Sequence, residues 1–388
     1  MRSRRPRITY ISQFFSPLDV PCVTGFATSL AECGCDVTVV ASRIRSEWAA
    51  DEIMNGLQVR RITMREERLG RLRYLRRMLA TVCRGTRPDL IIGNFLDIHG
   101  AVAVIAGRLL GVPAVVIEHG SGAHEVRTWP MRDRIFHWIA LHFAPLVFAL
   151  STDDCEQLKS LAPRTDVALV PCPYSTTGWT EPKTSSKTAL GLSDTERHVV
   201  VAARLVSVGG KEQKGVSVAI AAMREIPGWH LHVLGDGPLK QDLKRRAEQF
   251  GLCPRVSFHG RVPRETVLRY MNAADAVAVP SLYEPFGMVW LEAMEMRTPV
   301  VASRVGGPKD YLRDGVDAIL IPPGDPAALA AALHSLEEHP ALRRSLVQNA
   351  SERLSDFSPT AVVSRMTAAL ASRRLWNLNG SGESEGAG

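Results

Sequence analysis

Glu284-Pro285-Phe286-Gly287-Met288-Val289-Trp290-Leu291-Glu292 is the stretch that decides the fold. Before it, Ala276-Val277-Ala278-Val279-Pro280 alternates small and β-branched apolar residues like a short buried strand. After it, Val289 to Met296 has helical spacing and good helix formers. Glu284 to Gly287 therefore reads as a strand-to-helix loop. Gly287 lets a ligand approach the backbone closely, and the free amides where the helix starts, near Met288, turn a partial positive charge toward it. An anion belongs at that spot. Glu284 on the loop and Glu292 one turn into the helix flank it, which suits a polyhydroxylated ligand carrying a phosphate.

Outward from this loop, short apolar runs alternate with helical patterns. In the first part of the chain the runs are Ile8 to Ser12, Asp36 to Ala41, Leu90 to Ile92, Val112 to Ile117 and Leu146 to Leu150. A second series comprises Val199 to Ala202, His230 to Leu234, Val256 to Phe258, Ala276 to Val279, Val300 to Ala302 and Ala318 to Ile321. Such alternation predicts α/β architecture: two Rossmann-like domains, each a doubly wound parallel sheet covered on both faces. A chain of 388 residues with 45% hydrophobic content is long enough to bury two cores. Pro171 to Gly178 and the polar run Thr180 to Thr188 read as the linker, giving domains at 1–175 and 176–356.

The net charge of +7 fits a nucleotide or phosphate ligand, or contact with anionic lipid. No nucleic-acid-binding module is visible, so no nucleic-acid partner is expected. Of seven cysteines only Cys33 and Cys35 are close in sequence, at a spacing wrong for a zinc or redox motif, so the cysteines are expected to be reduced and mostly structural, and no metal site is expected. The basic amino terminus leads straight into a strand-like run with no signal-peptide core. Phe136 to Leu150 is too short for a membrane span and is interrupted by His137, His142 and Pro145, so it reads as a helix ending near Phe143 followed by a strand. The expected location is the cytoplasm, either free or at the inner face of the membrane.

Several strand-end elements carry chemistry. Glu118-His119-Gly120-Ser121-Gly122 follows a buried strand, where ligands of open α/β sheets bind, and His119 is a functional candidate there; Asp97 and His99 follow another strand, with function and packing evenly matched, and His124 reads as surface. Arg204-Leu205 and Lys214-Gly215 supply a planar donor fork and a point charge, both suited to phosphate, with Lys211 in the intervening insertion as a rival to Lys214. Leu234-Gly235-Asp236-Gly237-Pro238, Gly260-Arg261-Val262-Pro263 and Gly306-Gly307-Pro308 are further glycine turns at strand ends. Glu295 reads as solvated. Arg65, Arg68, Arg71, Arg73, Arg76 and Arg77, partly offset by Glu66 and Glu67, crowd a helix whose apolar stripe is expected to be Leu69, Leu72, Leu75, Leu79 and Val82. A solvated face is the leading reading of that helix and docking on an anionic membrane the second.

The Glu284 to Glu292 nonapeptide, Arg204-Leu205, Lys214-Gly215 and the glycine turns together resemble the retaining glycosyltransferase family 4, which has the GT-B fold: two Rossmann-like domains with a cleft between them. The resemblance implies a nucleotide-sugar donor, UDP- or GDP-linked, as substrate rather than any cofactor. It implies that Glu284 meets the donor sugar, Glu292 the ribose, and the loop amides of Phe286, Gly287 and Met288 the sugar and pyrophosphate. Arg204 and Lys214 would grip the pyrophosphate, Gly235 and Val262 would lie on the nucleotide side, and His119 near the transferring sugar and acceptor. In that fold a last helix, here 357–375, crosses back to the first domain, and the polar tail 376–388 is expected to be disordered. Where many relatives carry Gly-Gly before the first helix, this chain has Pro21-Cys22, with only Gly25 nearby.

The expected activity is a hexosyltransferase reaction that retains anomeric configuration and needs no metal, since the chain has no Asp-x-Asp pair. The acceptor would be a sugar, a lipid-linked oligosaccharide or a small molecule, in envelope polysaccharide, glycolipid or glycosylated-metabolite synthesis. The alternatives are a sugar-nucleotide epimerase or phosphorylase on the same fold, or a non-catalytic nucleotide-sugar-binding subunit.

Overall fold

The computed structural model describes residues 4–13, 15, 21–63, 70–120, 126 and 129–376. Residues 16–20 of the first loop, Arg65 to Leu69 of the basic stretch, Ser121, Gly122, His124 and the tail from Asn377 lie outside it. The chain divides into two units. One takes in the described residues of Met1–Leu150, Asp154–Ser175 and Phe357–Gly388, and the other Ser151–Asp153 and Thr176–Asp356.

Unit 1 holds an eight-stranded sheet of β1 (Arg7–Ser12), β2 (Asp36–Ser42), β3 (Asp51–Met54), β4 (Leu57–Ile62), β5 (Leu90–Asn94), β6 (Ala114–Ile117), β7 (Val147–Ala149) and β8 (Val167–Leu169). Their spatial order is β3-β4-β2-β1-β5-β6-β7-β8, and the β3–β4 pair at one edge is antiparallel. The remaining pairs are parallel. The strands read from the sequence are β1, β2, β5, β6 and β7. The sequence reading misses β3, β4 and β8 because Asp51–Met54 and Val167–Leu169 are short and Leu57–Ile62 carries two arginines.

The helix Gly70–Arg84 buries Gly70, Tyr74, Met78 and Val82, with Leu75 and Leu79 of the expected stripe half-buried against the same core; Leu72, at 58% exposed, is the described member of that stripe that falls outside the packed face. Tyr74 decides the rotation: its hydroxyl lies 2.6 Å from Ser42 Oγ and 2.9 Å from His99 Nε2, inside the core. His99 also bonds Asp97, the N-cap of Ile98–Leu110, through Nδ1 at 2.9 Å, so this pair is packed into the unit.

Unit 2 holds the strands β9 (Arg197–Ala202), β10 (Ser207–Val208), β11 (Lys211–Glu212), β12 (Trp229–Leu234), β13 (Val256–Gly260), β14 (Ala276–Val279), β15 (Val300–Ser303) and β16 (Ile319–Ile321). Six of them form a parallel sheet in the order β13-β12-β9-β14-β15-β16, and β10 and β11 form a separate hairpin. Lys183–Leu190, expected as linker, is a helix that Gly191 ends in the left-handed region by donating to the Lys187 and Thr188 carbonyls. Ser186 is buried, so tertiary packing overrides a modest local propensity.

Histidines line one stretch of this sheet. His198 Nε2 lies 2.8 Å from the Ser193 carbonyl and must donate to it. His198 Nδ1 is then an acceptor for His232 Nε2 at 3.1 Å, His232 Nδ1 for His259 Nε2 at 3.1 Å, and His259 Nδ1 for the Tyr270 hydroxyl at 3.3 Å. With one N–H on each ring, the chain of hydrogen bonds has one direction. No helix among the described residues is long and apolar enough to cross a membrane.

Candidate functional site

In unit 2, β9 lies between β12 and β14, so the strand order reverses on either side of it. Ligands of open α/β sheets bind outside the carboxyl ends of strands at such a point. The loops leaving β9 and β14 carry Arg204 and Glu284.

The Lys-Gly segment is fastened to the Glu284 loop by its backbone. The Gln213 carbonyl accepts from the amides of Leu282 and Tyr283 at 2.9 and 3.3 Å, and Gly215, at φ 61°, lies so close to Pro280 that a Cβ would stand 1.9 Å from the Pro280 oxygen. Lys214 Nζ therefore meets both carboxylate oxygens of Glu284, at 2.8 and 2.7 Å, and Ser281 Oγ donates to the same carboxylate at 2.9 Å. Glu284 is buried, and these donors supply its carboxylate with the partners that burial requires. Lys211 stands exposed on the hairpin and makes no ion pair or side-chain hydrogen bond among the described residues. Arg204 is exposed and makes no ion pair or side-chain hydrogen bond among the described residues, which leaves its guanidinium available.

Gly287, at φ 88° and ψ 78°, turns the chain into the helix Met288–Glu295, whose first amides have no side-chain cap. Phe286 is buried against Trp290 and Tyr311, and its carbonyl accepts from Trp290 Nε1 at 2.8 Å. What Phe286 offers a ligand is backbone, not its ring. Gly306 and Gly307 pack on this loop: the Gly307 amide donates to the Glu284 carbonyl at 3.2 Å, and a Cβ on Gly307 would stand 2.1 Å from the Phe286 oxygen.

Glu292 is buried and bonded to Arg264 Nε at 3.2 Å; burial pushes its carboxyl pKa up, and the Arg264 charge opposes that. Arg264 was not singled out from the sequence, because only the fold carries it to Glu292. Gly235 spends its amide on the Gly260 carbonyl at 2.8 Å, and a Cβ there would fall 1.8 Å from the Ala203 oxygen; it brings the chain against the Arg204 loop instead of offering an N–H. Val262 lies half-buried just before the helix Arg264–Ala273. Glu295, expected to be solvated, accepts from Thr177 Oγ1 at 2.8 Å and from the Gly178 amide at 3.1 Å, and so anchors the segment entering unit 2.

In unit 1, the corresponding reversal is between β1 and β5. Asn94, at the end of β5, donates through Nδ2 to Ser12 Oγ at 3.2 Å, and its Oδ1 lies 2.6 Å from His119 Nε2. His119 packs against Phe95 and Phe26, and burial pushes its imidazole down to about 3. Neighbouring Glu118 is fully buried and accepts from the Leu96 amide at 2.9 Å, a structural task.

His119 Nδ1 faces Cys22 Sγ at 3.5 Å. Cys22, in the first turn of Pro21–Glu32, is joined to Cys172 as a disulfide with the Cα atoms 5.5 Å apart. The expectation that every cysteine is reduced is therefore corrected. Residues 150 apart in sequence give no local signal of pairing.

Residues 183–353 match the family model described as Glycosyl transferases group 1, and residues 20–173 match the Glycosyl transferase 4-like domain. The chain belongs to the group 1 glycosyltransferases. Among relatives of this group, the lipopolysaccharide core biosynthesis glycosyltransferase LpsD of Rhizobium meliloti is 34% identical over 152 residues, 39% of this chain and 44% of that protein. Mycobacterium tuberculosis glycogen synthase is 37% identical over 161 residues, 40% of this chain and 39% of that one. The chain spans less than half the length of the first curated relatives it matches. Solved structures share the fold over almost the whole chain. Sucrose-phosphate synthase of Thermosynechococcus elongatus superposes with a TM-score of 0.80 at 23% identity, covering 96% of this chain and 99% of that one. Anabaena HepE in complex with UDP and glucose gives 0.78 at 22% identity, covering 95% and 100%. The GT-B architecture of group 1 glycosyltransferases is thereby established for this chain.

Proposed function

We propose that the protein transfers a hexose from a nucleotide sugar to an acceptor hydroxyl with retention of anomeric configuration, without a metal at the leaving group. The observation that carries this reading is the Glu284 loop. A buried carboxylate is held by Lys214 and Ser281 beside an uncapped helix start, with the Arg204 guanidinium on the neighbouring strand-end loop. A sugar diphosphate needs both kinds of partner: a carboxylate accepts hydroxyl hydrogen bonds, and cations with free amides stabilise the departing diphosphate as its charge grows. HepE has been solved with UDP and with UDP-glucose, and Arabidopsis starch synthase IV with ADP and acarbose, which supports a nucleotide-sugar donor here.

The acceptor side is read from unit 1. The helix Met131–Phe143 exposes Met131 (68%), Ile135 (51%) and Trp138 (50%) along one face, beside the exposed Arg132 and Arg134. Arg73, Arg76 and Arg77 are exposed on Gly70–Arg84, which an Arg71–Asp133 ion pair ties to the first helix. An apolar stripe rimmed by arginines suits an acceptor held at an anionic bilayer, on the cytoplasmic side.

A panel of UDP-, GDP- and ADP-sugars, with release of nucleoside diphosphate as readout and the product anomer assigned by NMR, tests the proposal. Donor-dependent release with a retained anomer is expected. Donor consumption with no acceptor present, or donor binding with no turnover, would overturn it in favour of an epimerase or a non-catalytic binding subunit.

A further inference from the structure

Of the seven cysteines, Cys22 and Cys172 are both buried and stand beside a histidine, whereas Cys33, Cys35, Cys83, Cys155 and Cys253 form no disulfide. We propose that Cys22, Cys172 and His119 form, once the two cysteines are reduced, a three-ligand site for Zn2+.

Geometry is the first argument. One ligand atom from each residue lies within 4.8 Å of the other two. Tetrahedral zinc with Zn–S of about 2.3 Å and Zn–N of about 2.0 Å spaces sulfur and nitrogen about 3.5 Å apart. Cys22 Sγ and His119 Nδ1 are 3.5 Å apart. Two zinc-bound sulfurs lie about 3.8 Å apart. With the Cα atoms fixed at 5.5 Å, rotation about the Cα–Cβ bonds after reduction brings the sulfurs to that separation.

The tautomer is the second argument. Asn94 and Ser12 are fully buried, and the bond from Asn94 Nδ2 to Ser12 Oγ turns the amide oxygen to His119 Nε2. Nε2 therefore carries the hydrogen, and the Nδ1 lone pair faces the sulfurs. A zinc-bound histidine is fixed in this way, by an oxygen accepting from its other ring nitrogen. The donor set has two thiolates, one imidazole and no carboxylate, which favours a soft or borderline ion over Mg2+ or Ca2+.

The chemistry balances in two steps. A dithiol or phosphine reductant delivers two electrons, the S–S bond breaks, and the sulfurs take up two protons. Zn2+ then binds both sulfurs and Nδ1 and releases those two protons, and water fills the fourth position. Two thiolates neutralise the ion. Disulfide and zinc are thus mutually exclusive occupants of one place, and the thiol redox state sets zinc affinity. The site is built from unit 1 residues alone and stands whether or not the donor reading above is right.

The test uses the full chain, reduced with a phosphine, stripped of metal and kept anaerobic. Zn2+ is titrated in competition with a chromophoric chelator, and alkylation of each cysteine is mapped by mass spectrometry. One zinc per chain is expected, with Cys22 and Cys172 protected from alkylation by zinc while the other five cysteines react as before. Stoichiometric binding should be lost in Cys22→Ser, in Cys172→Ser and in the oxidised wild-type chain. Failure of the reduced wild type to bind one zinc, or alkylation of Cys22 and Cys172 unaffected by zinc, would overturn the assignment. So would full binding by a folded Cys22→Ser variant. The alkylation arm needs no variant, so the outcome does not depend on whether the serine proteins fold.

Discussion

Gly306→Ala asks whether the Glu284 loop works because of where its backbone is held. Gly306 has φ 48°, and a Cβ there would stand 1.7 Å from the Glu284 carbonyl oxygen and 2.8 Å from its carbon. Real Cβ atoms essentially never come closer than 3.0 Å to a neighbour, so the two chain segments must part by at least 1.3 Å. The contacts that hold the Glu284 carboxylate, at 2.7 to 2.9 Å, do not stretch that far. Misplacing a reacting or binding group by about 1 Å costs on the order of 10²-fold in rate. Gly209→Ala is the control. Its φ is 58°, so alanine meets a similar left-handed penalty of about 1 kcal/mol, but nothing lies within 4 Å of its Cβ. The assay is nucleoside diphosphate release at saturating donor, with urea unfolding of both variants. We expect Gly306→Ala to lose about 10²-fold in kcat and Gly209→Ala to keep the wild-type rate. A folded Gly306→Ala enzyme with wild-type kcat would refute the claim that Glu284 must sit where this packing puts it.

Lys214→Ala and Arg204→Ala should each weaken donor binding and lower turnover by on the order of 10²-fold, measured by calorimetry and nucleotide release; damage from Lys211→Ala with a silent Lys214→Ala would reassign the cation. Turnover should persist in EDTA, because Lys214, Arg204 and the helix start supply the positive charge; abolition in EDTA with rescue by Mn2+ or Mg2+ would refute this. Stability should fall with acid through His232. Burial, with lesser contributions from His230, His198 and His259, pushes His232 down from 6.5 to about 3. The unfolded chain therefore takes up the proton first, and stability present above pH 6.5 is lost as pH falls toward about 3, by about 2 kcal/mol at pH 5. His232→Gln keeps a donor and an acceptor but does not titrate. The gap between urea midpoints at pH 7.5 and 5.0 should narrow in that variant, His119 keeping its own share of the acid sensitivity, and a pH dependence equal to wild type would exclude His232 as a cause.

Local physics made the alternation of strands and helices legible, because the side-chain period of a buried strand and that of a helix are both written within a dozen residues. The Glu284 loop was legible for the same reason: a strand, a glycine turn and a helix start are consecutive, so Gly287 and the uncapped amides follow from order alone. Contacts between distant segments were not. Gly215 and the apolar helix onset after Lys214 favour it over Lys211 in sequence, but what it meets is decided by distant segments: the bonds from Leu282 and Tyr283 to the Gln213 carbonyl and the fit of Gly215 against Pro280 bring Lys214 to Glu284. Arg264 reaches Glu292 across 28 residues, and Glu295 is an anchor because the chain entering unit 2 passes over it. In Gly70–Arg84 a hydroxyl bonding to Ser42 and His99 draws Tyr74 into the packed face and leaves Leu72 out of it, while Leu75, Leu79 and Val82 of the leucine pattern pack as local amphipathicity favours. Cys22, Cys172 and His119 show the division most plainly. A helix start, a coil after β8 and a strand end carry no shared periodicity, and only the parallel order of β1, β5 and β6, with the return of the chain after β8, brings two sulfurs and an imidazole nitrogen together.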